Sequence, residues 1–257
     1  MKKYLLNKYT LTFIGIVFFF LLWYLIYLIA GQNSTIFPSP IETVKEAITY
    51  LGDAYIYKCI WGSLSRMLIA FAIAVVIGVA LGIVVGNYTK LKYVFNPTVV
   101  ALKAVPTAAL VFLFLILAGL KNAPIYVVVI IVLPMVYEAT VSGYTHIDEY
   151  VTMALRVDGN NNFYNNIKVK LPLSFPYIAL GMVSSFALSF KIEIMAEVIS
   201  GSSSYGLGRA IQVAYINSST GLIPTFAYAF IAISVMLIVT LILDIIKKSC
   251  KIKDLTK

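Results

Sequence analysis

The chain has 257 residues, of which 61% are hydrophobic and only 12% charged, with a formal net charge of +9. A soluble domain of this length is closer to half apolar, so the composition excludes an ordinary soluble fold and points to the lipid bilayer. Five or six stretches reach the roughly 20 apolar residues that cross a hydrocarbon core. No period-2 alternation marks a barrel, and without water to satisfy the backbone those stretches must be helical. The expected class is an all-α membrane protein. The basic excess then marks a cytoplasmic side, not nucleic-acid binding.

In chain order, helices are expected near 11–30, 63–86, 94–118, 123–142, 175–197 and 222–246. The whole of 1–257 forms one transmembrane domain. The first stretch, "MKKYLLNKYTLTFIGIVFFFLLWYLIYLIAG", has the outline of a signal peptide. Its apolar run is too long and lacks a small-residue cleavage site, so it is expected to be a retained helix. With the N-terminus inside, the inner segments hold Lys2, Lys3, Lys8, Lys90, Lys92, Arg156, Lys168, Lys170 and the lysines from Lys247 onward. The outer loops hold Lys45, Lys58, Lys121 and Arg209. This asymmetry predicts six crossings with both termini cytoplasmic. Cys59 and Cys250 then fall at opposite membrane faces, so neither a disulfide nor a metal site is expected.

In the first outer loop, "FPSPIETVKEAITYLGD", Ser39 is a candidate N-cap, Pro40 suits the first helical position and Glu42 completes a capping box. Ile41, Val44, Ile48 and Leu51 share one face. The segment predicts a short amphipathic helix along the outer interface. Gly78, Gly82 and Gly86 recur every four residues, which lets another helix approach closely, either within the chain or from another subunit. Pro97, Pro106, Pro124 and Pro134 punctuate the third and fourth spans. Pro106 is placed to bend its helix, and Pro124 suits a first turn.

The segment 143–174 is longer than a simple connection needs. Met153, Ala154 and Leu155 favour a helix that Gly159 can end in a left-handed conformation. Asn160 or Asn161 can cap a second helix through Phe163, Ile167 and Lys170, with Pro172 and Pro176 bounding the entry to the fifth span. The product is helix, sharp turn, helix on the inner face, a polar docking knob.

This segment resembles the cytoplasmic motif E-A-A-x3-G-x9-I-x-L-P of the integral-membrane subunits of ABC importers. Ala154, Gly159, Val169, Leu171 and Pro172 stand at its offsets, while Met153 replaces the motif Glu and Leu155 the second Ala. "FPSP" (37–40), "SLSRMLIAF" (63–71), Pro106 before Gly119, "MAEVISG" (195–201) and "GLG" (206–208) follow in the order seen in nitrate/sulfonate/taurine-type permeases. The resemblance runs from Trp23 to Asp244. It implies a type I ABC importer permease fold in the cell membrane, working as a homodimer surrounded by lipid. It further implies a dimer of separate ATPase subunits below and an extracellular solute-binding protein above. Met153, Ala154, Leu155, Arg156, Asp158, Gly159, Asn160, Asn161, Leu171 and Pro172 would form the coupling loop on the ATPase. The solute would be a sulfonate- or nitrate-like anion or a thiamine-related pyrimidine.

Lys103, Glu138, Lys191, Glu193 and Glu197 lie in or near spans. A charge at mid-bilayer costs roughly 2.5–3.5 kcal/mol on insertion scales, so such groups meet a cavity or a partner. Lys191, Glu193 and Glu197 are candidate pathway residues on the fifth span, with Glu193 and Glu197 on its wetter face and Lys191 able to meet an anion or to neutralise Glu138 or a Glu of a second copy of the chain. Pairing across helices is the competing reading. His146 has no clustered partners, which argues against catalysis or metal binding. No G-x4-G-K-[ST] loop is present, so the chain is expected to bind no nucleotide itself, and with no H-E-x-x-H and no Ser-His pair in the spans it is expected to hold no cofactor and not to be an enzyme. A stand-alone secondary transporter or channel is the alternative function. It would account for the spans and the charges, but not for the knob.

Overall fold

The computed structural model describes residues 8–33, 37–157, 162–201, 205–217 and 221–249. Its elements are α1 (Lys8–Ile29), α2 (Pro40–Leu51), α3 (Ala54–Asn87), a 3-10 turn (Thr89–Leu91), α4 (Lys92–Ala104), α5 (Thr107–Thr145), α6 (Glu149–Val157), α7 (Phe163–Ser200), α8 (Leu207–Ile216) and α9 (Ile223–Ser249). Five of them, α1, α3, α5, α7 and α9, are each long and apolar enough to cross a membrane.

α5 accounts for two crossings. Gly119 sits at φ 75°, ψ 170°, a conformation that glycine adopts without steric cost. On a straight helix Phe114 and Tyr126 would be about 18 Å apart. Instead their rings stack at 5.6 Å, so the chain doubles back at Gly119. Leu110 and Val111 accordingly pack in one core with Val127 and Val128. The first arm of α5 continues α4 across a break at Val105–Pro106, where the backbone is extended. With α1, α3, α7 and α9 this makes six crossings.

The centre is α3, α5 and α7. Gly78, Gly82 and Gly86 turn toward α5, and a Cβ on Gly82 would stand 2.5 Å from that of Thr140. The small-residue face of α3 is therefore used within the chain. Gly181 of α7 meets Ala139 of α5 in the same manner. By contrast, the apolar window of α1 buries none of its residues within the chain. It is pinned near its end, where Trp23 Nε1 donates to Pro38 O at 3.2 Å.

α2 begins at the Ser39 cap, whose Oγ accepts from the Glu42 amide at 3.1 Å and donates to the Glu42 carboxylate at 3.0 Å. Its buried face is Pro40, Thr43 and Ala47, and Ile41, Ile48 and Leu51 face outward. Tyr50 stacks on Tyr228 of α9 at 4.6 Å.

Three elements differ from the sequence expectation. α3 starts at Ala54 rather than near 63, because the Asp53 side chain caps it by accepting from the Tyr55 amide at 2.9 Å. α7 is continuous from Phe163 and carries Pro172 and Pro176 inside it. Its cap is Asn162, accepting from the Asn165 amide at 2.8 Å, and not Asn160 or Asn161. Each proline removes one backbone donor, but Ser174, Pro176 and Ile178 are buried and packing carries the helix through. The expected connection 198–221 contains α8.

Gly82→Val should overpack the α3–α5 seam and destabilise the chain by about 1–3 kcal/mol. Thermal unfolding in detergent should show a lower midpoint. Gly15→Val, where a Cβ meets nothing within 4 Å, should leave the midpoint unchanged.

Candidate functional site

α6 follows α5 after a short turn in which Asp148 Oδ1 accepts from the Tyr150 amide at 3.0 Å. Tyr150, Met153 and Val157 fall on one side of this helix and are exposed, Tyr150 at 80% and Val157 at 85%. Ala154 is exposed beside them, Leu155 is half-buried, and Arg156 lies in the last turn. Asp158, Gly159, Asn160 and Asn161 lie outside the described residues. Leu171 and Pro172 stand in the early turns of α7, Leu171 half-buried and Pro172 exposed. A short helix with an exposed apolar stripe thus links α5 and α7.

Towards the opposite end of α7, three separated motifs converge. Glu193 and Glu197 are one turn apart, and both are 0% exposed. Arg66 of α3, with its side chain 12% exposed, reaches between them, donating from Nε to Glu193 Oε1 at 3.2 Å and from Nη2 to Glu197 Oε1. Ser63 Oγ lies 2.9 and 2.8 Å from the two Glu197 oxygens and accepts from the Leu207 amide at 2.8 Å. The Gly208 amide donates to Glu197 Oε2 at 2.8 Å, and Arg66 Nη2 donates to Tyr205 O at 2.8 Å. α3, α7 and the start of α8 are thereby tied at one point. A Cβ on Gly206 would stand 2.6 Å from both Arg66 Nη2 and Glu197 Oε2, and one on Gly208 would stand 2.5 Å from Glu197 Cβ. The "GLG" stretch is small because this network lies directly beneath it.

This corrects the sequence expectation for Glu193 and Glu197. Within the chain they do not form a wetter face; they turn to α3, where a guanidinium meets the cost of their burial. Arg66 and Ser63 were not among the expected site residues. Their signals were an arginine inside the second expected helix and the stretch "SLSRMLIAF" that carries both. Lys191 lies on another side of α7 and is exposed. It does not neutralise Glu138, whose partner is Lys103: Lys103 Nζ donates to its two oxygens at 3.0 and 2.8 Å.

The two acids of the buried network are unequal. Glu197 accepts from Ser63, Arg66 and the Gly208 amide, whereas Glu193 Oε2 has no hydrogen-bond partner among the described residues. Arg66→Gln leaves two buried acids without their cation and should cost about 3–5 kcal/mol. Glu197→Ala should approach that loss, and Glu193→Gln should cost far less. Unfolding midpoints of the three variants in detergent check the order.

Residues 74–251 match the model of the family described as the binding-protein-dependent transport system inner membrane component. The chain is 29% identical over 232 residues to the nitrate import permease protein NrtB of Synechocystis, covering 84% of this chain and 79% of that protein. It is 28% identical over 215 residues to the bicarbonate transport system permease protein CmpB of Synechococcus elongatus, covering 78% and 75%. Its fold superposes on a chain of the MetNI methionine ABC transporter, solved in inward-facing conformations, with a TM-score of 0.65 at 16% identity over 79% of this chain and 97% of that one. The chain is thus a multi-pass membrane protein of the binding-protein-dependent transport family, a permease of the ABC importer type.

Proposed function

We propose that this chain is the permease subunit of an ATP-driven importer that carries a small anion. A binding protein delivers the solute from outside, two copies of the chain enclose the pathway, and a separate pair of ATPase subunits hydrolyses ATP. The observation that carries this reading is α6. Its exposed residues Tyr150, Met153 and Val157 form an apolar stripe on a short helix between two crossings. A stripe of this kind is covered by lipid at the interface or by a protein surface, and its place in the segment that carries the Ala154, Gly159, Leu171 and Pro172 pattern favours a protein. The relatives named for nitrate and bicarbonate favour an anion over a pyrimidine as the solute. In this reading Met153 to Asn161, with Leu171 and Pro172, is the coupling loop. Lys191 and its side of α7 line the pathway, while Glu193 and Glu197 hold α7 to α3 and α8. Two-fold closure is the default for identical subunits.

Affinity purification of the tagged chain from native membranes should recover an ATP-hydrolysing subunit. Val157→Asp puts a charge into the α6 stripe and should reduce that recovery about tenfold, a shift of 1.4 kcal/mol in binding. Membrane insertion should be unaffected. Solute uptake by vesicles holding this chain without any ATPase would overturn the proposal in favour of a secondary transporter or channel.

A further inference from the structure

A second ion pair lies within the spans, and its surroundings are the opposite of those around Arg66. Lys103 and Glu138 have side chains 48% and 44% exposed. They open into a cavity of about 520 Å³ between α4, α5 and α7, which Thr107, Ser142, Ser184 and Leu188 also line. The α4–α5 break at Val105–Pro106 sits beside it. Along α4, Lys103 stands about 16 Å from Lys92, and Glu138 stands about 10 Å from the end of α5 at Thr145. A charge pair serving only structure would be buried and ringed with donors, as Arg66 is. One left open to a cavity that also carries the hydroxyls of Thr107, Ser142 and Ser184 is wet or takes a ligand.

The surrounding geometry supports access. A second cavity of about 300 Å³ shares Glu138 and Ser142 and extends along α4 and α5 to Asn96, Lys92 and Thr145, toward the α6 end. In the other direction, Ser184, Leu188 and Lys191 follow one another at helical spacing on one face of α7. The two cavities therefore meet at Glu138 and Ser142, with Lys92 at the α6 end and Lys191 two turns beyond Ser184 on α7. The hydroxyls of Ser142 and Ser184 make local contacts, to His146 Nδ1 at 3.3 Å and Leu180 O at 3.0 Å, and hydroxyl rotors can turn to donate to a ligand.

We infer that Lys103 is the residue that contacts an oxyanion in the pathway, and that Glu138 is a built-in competitor which occupies the ammonium when the solute is absent. The inference rests on the anion-import reading above and assigns it a site. Solute displaces the Glu138 carboxylate from Lys103, and the carboxylate retakes its place as solute leaves. The competition keeps the site weak enough to release what it binds, as passage requires.

The test uses Ser184→Cys in the full-length chain with Cys59 and Cys250 replaced by alanine, in the complex assembled with its ATPase. Anionic and cationic methanethiosulfonate reagents of matched size report the ratio of labelling rates. That ratio should rise about tenfold in Glu138→Gln and fall about tenfold in Lys103→Gln, the low end of electrostatic focusing in a cleft. Lys103→Arg keeps the charge and should restore the anion preference lost in Lys103→Gln. Nitrate, bicarbonate and ethanesulfonate are then added in turn, with choline as the cationic comparison. At least one anion should slow labelling, most strongly in Glu138→Gln and not at all in Lys103→Gln. No labelling at position 184, or anion protection undiminished in Lys103→Gln, would overturn the assignment. The solute held by the partner binding protein is identified separately. If it is not an anion, the import reading fails; if it is an anion and labelling shows no charge preference, the Lys103 site fails.

Discussion

The cost of placing ionisable groups in a bilayer organises this molecule. Two carboxylates on α7 and one guanidinium on α3 are each prohibitive alone at depth, and their mutual satisfaction is what lets either helix carry them. From that pairing follow the glycines at 206 and 208, which let the backbone of α8 close over the acids, and the serine at 63, which accepts from α8 while it contacts Glu197. "SLSR", "MAEVISG" and "GLG" are thus three pieces of one structure. Each piece has little physical meaning without the others.

The same chemistry appears twice with different solvent exposure. Around Arg66 nearly every polar atom is answered by protein, and the cluster serves as a rivet. Among the described residues Lys103 and Glu138 bond to each other, and the pair opens to a cavity. Desolvation separates the two. A dry pair lends rigidity, and a half-wet pair can exchange partners.

Local chemistry explains which parts were legible in the sequence. Apolar run length gave five or six crossings and the lysine asymmetry chose six, and the α2 cap follows from Ser39, Pro40 and Glu42 standing together. The break between the two arms of α5 was legible from the end of one apolar run near 118 and from Pro124, which suits a first turn. Pairings between distant residues were not legible. Arg66 was visible as a charge within a span, but its partners stand 127 and 131 positions away, and no periodicity connects them. The same holds for Lys103 and Glu138, 35 positions apart. α8 was missed because it is only 10 residues long and Gly206 offers no side-chain cap. The prolines in α7 misled for a related reason. They weaken a helix locally, and burial against α5 outweighs them.

The length of α7 has a mechanical meaning. Its 38 residues make a rod of about 57 Å, nearly twice the thickness of a hydrocarbon core. One end emerges beside α6, and the other is riveted to α3 and α8. A tilt of about 5° around the riveted end would carry the α6 end by about 5 Å over that length. A push applied there thus crosses the bilayer as leverage in a single covalent element, with Arg66 as the fulcrum pin.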